Sequence, residues 1–492
     1  MKAVKFIVGL LVGVLLIVLP LSQLQPSALD PLQTLAVQLD GRKKPLDTVA
    51  LETVGKLHGA LSYRQADGTK LDYLQTYLAL EFNDRDWNTE PFLLVSYRPL
   101  KEAVGLDIEQ KYFSFRELIA SPELGSLVRQ AHQKELREED LTRNEREAIT
   151  VEDRLKLILD TVSAPSLPIV PHPSDAKGLW VDVATAGEYY GEPEVDAIAQ
   201  AYGQLKQAYR VHPEDLTTVS ALSLKLHEAL ANLSPTVYPA TRALQQEVHF
   251  HRFHPFGKAW PLYLLAFGIV GLSFFWPTFD FYWTGIGLFA AGVLVQAYGF
   301  WLRTHVAGRP PVTNMYESVV WVGFGIAAVA LLFELTSRAR YYLLAAAPLA
   351  TVCLLLADRL PAVLDPSIGP LVPVLRDNFW LSVHVPTITL SYACFALAMG
   401  LGHVSLGHYL FAPGAKQRLQ KLGQFNYHVL QAGVLLLTTG IILGGIWAHF
   451  SWGRFWGWDP KETWALIALL CYLVPLHGRL VGWFGNFGIT VA

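Results

Sequence analysis

The chain has 492 residues, 52% of them hydrophobic and only 16% charged, with a formal net charge of −3. So small a charge of this sign offers nothing to a polyanion and excludes nucleic acid as a partner class. Three cysteines, Cys353, Cys394 and Cys471, all sit in apolar runs without CxxC spacing, which excludes a disulfide framework. The charges are unevenly spread. Residues 31–258 carry them every few positions, as a soluble domain does, whereas residues 259–492 confine them to short breaks between apolar stretches. The expected fold class is mainly α: a polytopic helical membrane protein with an N-terminal anchor helix and a mostly helical extracytoplasmic domain.

At the start, Lys2 and Lys5 precede an apolar run from Phe6 to Leu19, and no small-x-small cleavage site follows in Ser22-Gln23-Leu24-Gln25-Pro26. Residues 1–21 therefore read as a membrane anchor with the lysines in the cytoplasm, which puts residues 31–258 outside. That domain opens with a short strand, a turn at Asp40-Gly41 and a helix capped near Asp47. Phe115–Leu159 reads as strongly helical, Glu192–Leu233 as two further helices, and Pro165–Pro173 as a break. Charge runs such as REEDLTRNERE are expected on solvated helix faces. No nucleotide loop, nucleophile motif or metal cluster stands out, so the domain reads as a scaffold or docking surface. His249, His251 and His254 fall within six residues just before the membrane, spaced either for a metal or for an ordinary juxtamembrane segment.

Seven spans are expected near 259–276, 281–302, 318–335, 341–357, 379–410, 427–449 and 463–480. Basic residues at Arg338, Arg340 and Lys416–Lys421 assign their loops to the cytoplasm, leaving loops 303–317, 358–378 and 450–462 outside. The last of these is the most unusual stretch in the chain. Residues 452–464 hold Trp452, Phe455, Trp456, Trp458 and Trp464 around Arg454 and Asp459. One or two tryptophans at a membrane interface need no special account. Four at this density suit a flat apolar ligand. Asp459, Pro460 and Glu462 read as N-cap, first helical residue and reciprocal capping-box partner, and Asn314 with Glu317 repeats the pattern. Arg303 and Arg309 add positive charge to the same outer surface. Among the histidines, His384, His305 and His449 fall near the outer face. His403, His408, His428 and His477 fall toward the inner one, and polar groups in spans are functional by default.

The pieces WGRFWGWDPKETWALI, LHGR (476–479), GRPPVTNMYES (308–318) and FWLSVHVPTITLSYA (379–393) resemble the cytochrome c assembly (WWD-domain) family. Within it, their order resembles the haem-handling subunit of the Ccs/Res-type (system II) cytochrome c synthase, over residues 259–492. The segment GRKKPLDTVALETVGKLHG is similar to one that precedes this core in some members. The resemblance implies a protein of the bacterial cytoplasmic membrane that binds haem b and presents it at the outer face. There it would be attached covalently to the CxxCH of an apocytochrome c. No CxxCH occurs in this chain, so it is not itself a c-type cytochrome. His384 and His477 occupy the places of haem-iron ligands, the first outside and the second within the membrane. Trp452, Trp456, Trp458, Asp459 and Trp464 would form the haem platform. Indoles cover a porphyrin face, and Arg454 or Arg309 suits its propionates.

Two departures from the family matter. The core normally continues through another span to a second outer histidine in a GLHSYG-like ending, while this chain ends at Gly485–Ala492, so the resemblance implies C-terminal truncation. The other intramembrane histidine is expected in a Ccs/Res-type partner membrane subunit. Besides a subunit of a holocytochrome c synthase, two alternatives stand. One is haem delivery to a carrier without ligation, as in Ccm-type relatives; the other is a non-enzymatic assembly or docking protein whose aromatic loop contacts only membrane lipid.

Overall fold

The computed structural model describes residues 2–22, 29–65, 67–163, 167–213, 215–276, 281–361, 363–371, 375 and 377–492. Contacts divide the chain into two compact units, Met1–Gln25 with Arg252–Ala492, and Pro26–His251. Residues 23–26, where no cleavage site is expected, and Pro165 in the proline-rich break lie outside the described residues.

The chain opens with α1 (Lys2–Ser22), 21 residues and so about 31 Å long, enough for a hydrocarbon core. The unit Pro26–His251 follows. After α2 (Asp30–Gln33), strands β1 (Ala36–Leu39) and β2 (Arg42–Pro45) form an antiparallel hairpin. Asp40 and Gly41 between them have φ +53 and +72, the left-handed pair that a two-residue hairpin turn demands. Helix α3 (Leu46–His58) starts directly from this hairpin. Its N-cap is Pro45 without a side-chain bond. The expected cap Asp47 is instead inside the first turn, buried, accepting a hydrogen bond from Tyr73 Oη at 2.7 Å.

Two further two-stranded sheets, β3 (Ser62–Arg64) with β4 (Lys70–Asp72) and β5 (Leu93–Leu94) with β6 (Tyr112–Phe113), punctuate helices α4 (Tyr73–Glu81) and α5 (Arg98–Ala103). The charged block resolves into α6 (Phe115–Ile119), α7 (Pro122–Leu136) and α8 (Arg143–Ser163), with the acidic-basic run 137–142 exposed in the turn between α7 and α8. Two long helices follow as expected, α9 (Glu192–Val211) and α10 (Leu216–Leu233), then α11 (Thr241–Phe253). Leu226, Leu230, Leu205 and Tyr202 from α9 and α10 join Val49, Leu57 and Leu78 in one apolar core. Burial of such side chains stabilises by about 1.5–3 kcal/mol each. Within this unit Glu247 of α11 takes a bidentate ion pair from Arg42 at 2.7 Å and a hydrogen bond from Thr48, which ties α11 to the hairpin.

The remaining helices are α12 (Pro255–Phe275), α13 (Tyr282–Ala307), α14 (Met315–Ser337), α15 (Tyr341–Arg359), α16 (Asn378–Phe411), α17 (Lys416–Trp452), α18 (Pro460–Leu480) and the short α19 (Asn486–Val491). Seven described helical stretches are long and apolar enough to cross a membrane, and they coincide with the seven expected spans. This is a multi-pass helical membrane protein. Helix α1 packs on α13 through small residues. A Cβ on Gly9 would lie 2.2 Å from Thr284 O, one on Gly13 2.6 Å from Ala291 Cβ, and one on Gly287 2.2 Å from Phe6 O. Close backbone approach of this kind is how helices associate in lipid, where apolar burial alone drives little.

Some polar groups inside the bundle are paired across helices. Gln296 accepts from Tyr263 Oη at 2.8 Å and donates to Val320 O at 2.9 Å. Tyr282 Oη donates to Glu334, whose carboxylate also receives Arg340 N at 2.6 Å and so caps the turn before α15. The three cysteines are free thiols.

Candidate functional site

The aromatic segment begins where α17 ends. Gly453, at φ +71, closes that helix through its N–H to His449 O at 2.9 Å. Helix α18 begins at the N-cap Asp459, whose Oδ1 accepts from Glu462 N at 2.9 Å. The expected reciprocal bond differs in detail. Glu462 Oε2 accepts from Gly457 N at 2.6 Å, two residues before the cap, so the carboxylate cinches the loop itself. The loop after α13 uses the same device: Asn314 caps α14, while Glu317 Oε2 accepts from Thr313 N at 2.7 Å.

Between Gly453 and Asp459 the chain turns tightly. Arg454 folds back so closely over Gly457 that a Cβ there would meet its Nη1 at 0.9 Å. Trp458 adopts φ +57, a left-handed conformation that bulky residues rarely take. Its ring meets Trp456 edge to face, centroids 5.7 Å apart. Trp452, Trp458 and Trp464 are 61%, 69% and 68% exposed, while Trp456 is half-buried with its Nε1 donor unpartnered among the described residues. Together they present an apolar, indole-rich surface. Arg454 is exposed and makes no ion pair among the described residues.

His384 lies on α16, packed against α17. Its Nδ1 lies 2.9 Å from Gly440 O on α17, and since a carbonyl only accepts, Nδ1 carries the proton and Nε2 is the bare nitrogen. The ring rests against Gly444, 2.7 Å from where a Cβ would be, and is edge to face with Trp447 at 5.7 Å. The very next residue, Gly445, receives Phe455 of the aromatic segment, whose Cζ is 2.6 Å from its Cβ position. Successive helical residues differ by about 1.5 Å in height. His384 and the ring of Phe455 therefore meet α17 at one depth, whereas Trp452, eight residues beyond Gly444 on the same helix, stands about 12 Å further along. Trp380, one turn before His384, stacks on Phe450 at 5.8 Å and closes the same end.

Other histidines of the spans behave differently. His305, His403, His408 and His477 each set Nδ1 2.8–2.9 Å from the carbonyl four residues earlier in their own helix. His477 is exposed near the far end of α18, 18 residues beyond Asp459 and so about 27 Å along the helix. It does not join His384.

Arg303 of α13 and Arg309 of the loop after it are structural. Arg303 is buried, not displayed on the outer surface: its Nε donates to Glu317 Oε1 at 2.7 Å and Nη2 to Pro366 O at 3.0 Å. Arg309 Nη2 donates to Gly369 O at 2.7 Å. Both hold the described part of the loop between α15 and α16, and the structure does not bring Arg309 to the indoles. The three juxtamembrane histidines form no metal site: among the described residues no group of three or more His, Cys, Asp or Glu side chains is arranged for a metal. Within its own unit His254 Nε2 pairs with Asp358 at 3.1 Å. Sequence reasoning missed Gly440, Gly444 and Gly445; their i, i+4 and i+5 spacing in an apolar run was the available signal.

The family described as cytochrome C assembly protein matches residues 312–492. The chain is 35% identical over 234 residues to the cytochrome c biogenesis protein CcsA of Synechococcus sp. (strain RCC307), a match covering 41% of this chain and 74% of that protein. The chain belongs to the cytochrome c assembly family. The CcsA of Trieres chinensis is 32% identical over 270 residues, 45% of this chain and 85% of that protein. Protein NrfI of Wolinella succinogenes is 32% identical over 463 residues, 90% of this chain and 49% of NrfI. This assembly-family chain thus spans about half the length of NrfI. A match of 463 residues exceeds the membrane unit, so the likeness to NrfI also includes part of the unit Pro26–His251.

Proposed function

We propose that this protein binds haem b with its aromatic segment and His384 at the extracytoplasmic face of the bacterial cytoplasmic membrane. It would present haem for covalent attachment to the CxxCH of an apocytochrome c, as a subunit of a holocytochrome c synthase of the Ccs/Res type. The observation carrying this reading is the placement of His384 and Phe455 against the adjacent glycines Gly444 and Gly445. That placement brings a neutral imidazole and the Phe455 ring of the aromatic segment to one depth along α17, which supports the reading.

The residues fit the substrate. Nδ1 is held by Gly440 O, which leaves Nε2 to face iron, the arrangement that makes a histidine a well-oriented ligand. Trp452, Trp456, Trp458 and Trp464 supply apolar faces for the macrocycle, and Arg454 supplies a cation for a propionate. Asp459 acts by capping α18 and so fixing the loop. Haem supplies the vinyl groups, and each thiol adds across one of them, forming a C–S bond and returning its proton to the neighbouring carbon. The protein contributes position and exclusion of water. His477 suits a second haem position in the membrane, completed by a histidine of a partner subunit.

The test is purification with and without that partner subunit, followed by an absorption spectrum. The reading expects a haem band with nitrogen ligation that His384→Ala weakens or shifts, and loss of holocytochrome when Trp456 and Trp458 are both replaced by Leu. A haem-free protein in both preparations overturns it. Co-expression with an apocytochrome in a host lacking carrier-type maturation separates ligation from mere delivery.

A further inference from the structure

We propose that Gly440 and Gly444 of α17 are positioning residues for His384: together they expose one helical carbonyl and make room for the imidazole that grips it. This rests on the haem-binding reading above. In an α-helix the carbonyl of residue i already accepts the N–H of residue i+4 and points toward that residue. Side chains at those two positions ordinarily flank the oxygen, because each Cβ tilts toward the helix N-terminus. Here both positions are glycine, so Gly440 O is open on its flank and takes a second donor, His384 Nδ1, at 2.9 Å.

The space is fully used. A Cβ on Gly444 would stand 2.7 Å from His384 Cε1, 3.2 Å from Nδ1 and 3.3 Å from Nε2, at the corner of the ring between its two nitrogens. A Cβ on Gly440 would stand 2.9 Å from Ile388 Cβ and 3.0 Å from Ile388 Cα, against the backbone of α16 one turn beyond His384. The same face continues to Gly433, which receives Phe395 at 2.6 Å. The antiparallel pairs 384 with 444, 388 with 440 and 395 with 433 are in step, so α16 lies in a glycine groove of α17. At the bottom of that groove the groups met are apolar; at Gly444 the group met is the imidazole. A methyl at Gly444 therefore turns or lifts the ring, whereas a methyl at Gly433 perturbs packing alone.

The experiment uses the full chain in detergent, first without haem and then loaded with hemin. Without haem, thermal unfolding of Gly444→Ala, His384→Ala and the double variant is compared. The alanine at 444 is expected to lower Tm with the imidazole present and to have little effect once His384 is alanine. Additive effects overturn the proposal. With haem, Gly444→Ala is expected to reduce the fraction of haem showing the wild-type nitrogen-ligand bands about tenfold or more, since displacement on the order of 1 Å costs on the order of a hundredfold at a positioned centre. Gly433→Ala is expected to keep both the bands and the midpoint potential. Wild-type bands and potential in Gly444→Ala overturn the positioning role while the haem reading stands; a wild-type chain that takes no haem overturns both. Should Gly444→Ala fail to fold, the double variant, which lacks the clash, is expected to fold and to recover the bands with added imidazole. Its failure to do so would count against the proposal equally.

Discussion

Trp458 holds a bulky side chain in left-handed backbone with its ring 69% exposed, so burial does not offset the strain, which is on the order of 1–3 kcal/mol. Strain kept at an exposed indole points to a ligand as its reason. Replacement by glycine is expected to leave Tm unchanged or raise it while lowering haem retention; a parallel loss of both would assign Trp458 to the fold. Arg303 and Glu317 make the opposite case. Their pair is buried and bonded at 2.7 Å, so Arg303→Met strands a carboxylate and is expected to cost about 3 kcal/mol or more. Replacing both by Leu is expected to cost less, which denaturant titration of the folded fraction in detergent would show. At this scale the sequence draws attention to His384 as a polar group in a span and to the tryptophans by their density. Arg303 misled because a cation near a span end reads as surface charge, and only the three-dimensional partner shows it neutralised. Glycines in an apolar run read as neutral filler, and their contribution depends on what the neighbouring helix puts against them.

At the scale of elements, all seven spans were readable because roughly 20 apolar residues have one meaning in a chain of this composition. The pair α9 and α10 was readable from periodicity and the turn between them. The start of α3 was not, because Pro45 caps it by backbone conformation while Asp47 turns inward to Tyr73. The contact of α1 with α13 was also hidden, since the GLLVG stretch looks like any anchor until Thr284 and Gly287 face it. Gly9→Leu is expected to break this contact, because Thr284 O leaves no space for even a Cβ. Protease resistance and Tm should fall, and an intact-mass measurement of the mature protein is expected to show α1 retained. Asp459→Ala removes the cap of α18 at a cost of about 1 kcal/mol. It should loosen the aromatic loop more than the helix, a difference that hydrogen exchange at Gly457 and Trp464 would resolve.

For the molecule as a whole, the unit Pro26–His251 carries a pH dependence and the membrane unit an exposed helix. In the unit Pro26–His251, Glu81 is 3% exposed and receives hydrogen bonds from Tyr202 Oη at 3.0 Å and Tyr77 Oη at 3.4 Å, which links α4 to α9. Burial raises its carboxyl to about 7 from an ordinary 4.5. Between these values the folded chain holds a proton that the unfolded chain has released. Stability therefore falls as pH rises from 4.5 to about 7 and is flat beyond, with a total loss on the order of 3 kcal/mol. Glu81→Gln is expected to remove that slope and to raise Tm at pH 8, measured on the full chain. In the membrane unit the feature with the widest reach is α18. Only 11% of its apolar window is buried by protein, against 39–72% in the other six spans. The rest of its surface is left to lipid and to the partner subunit proposed at His477. A helix so placed tilts when the bilayer thins and straightens when it thickens. Trp464 and Asp459 ride on its end, so reconstitution in short- and long-chain phosphatidylcholines should change haem affinity without any change in the protein, making bilayer thickness a setting of the site.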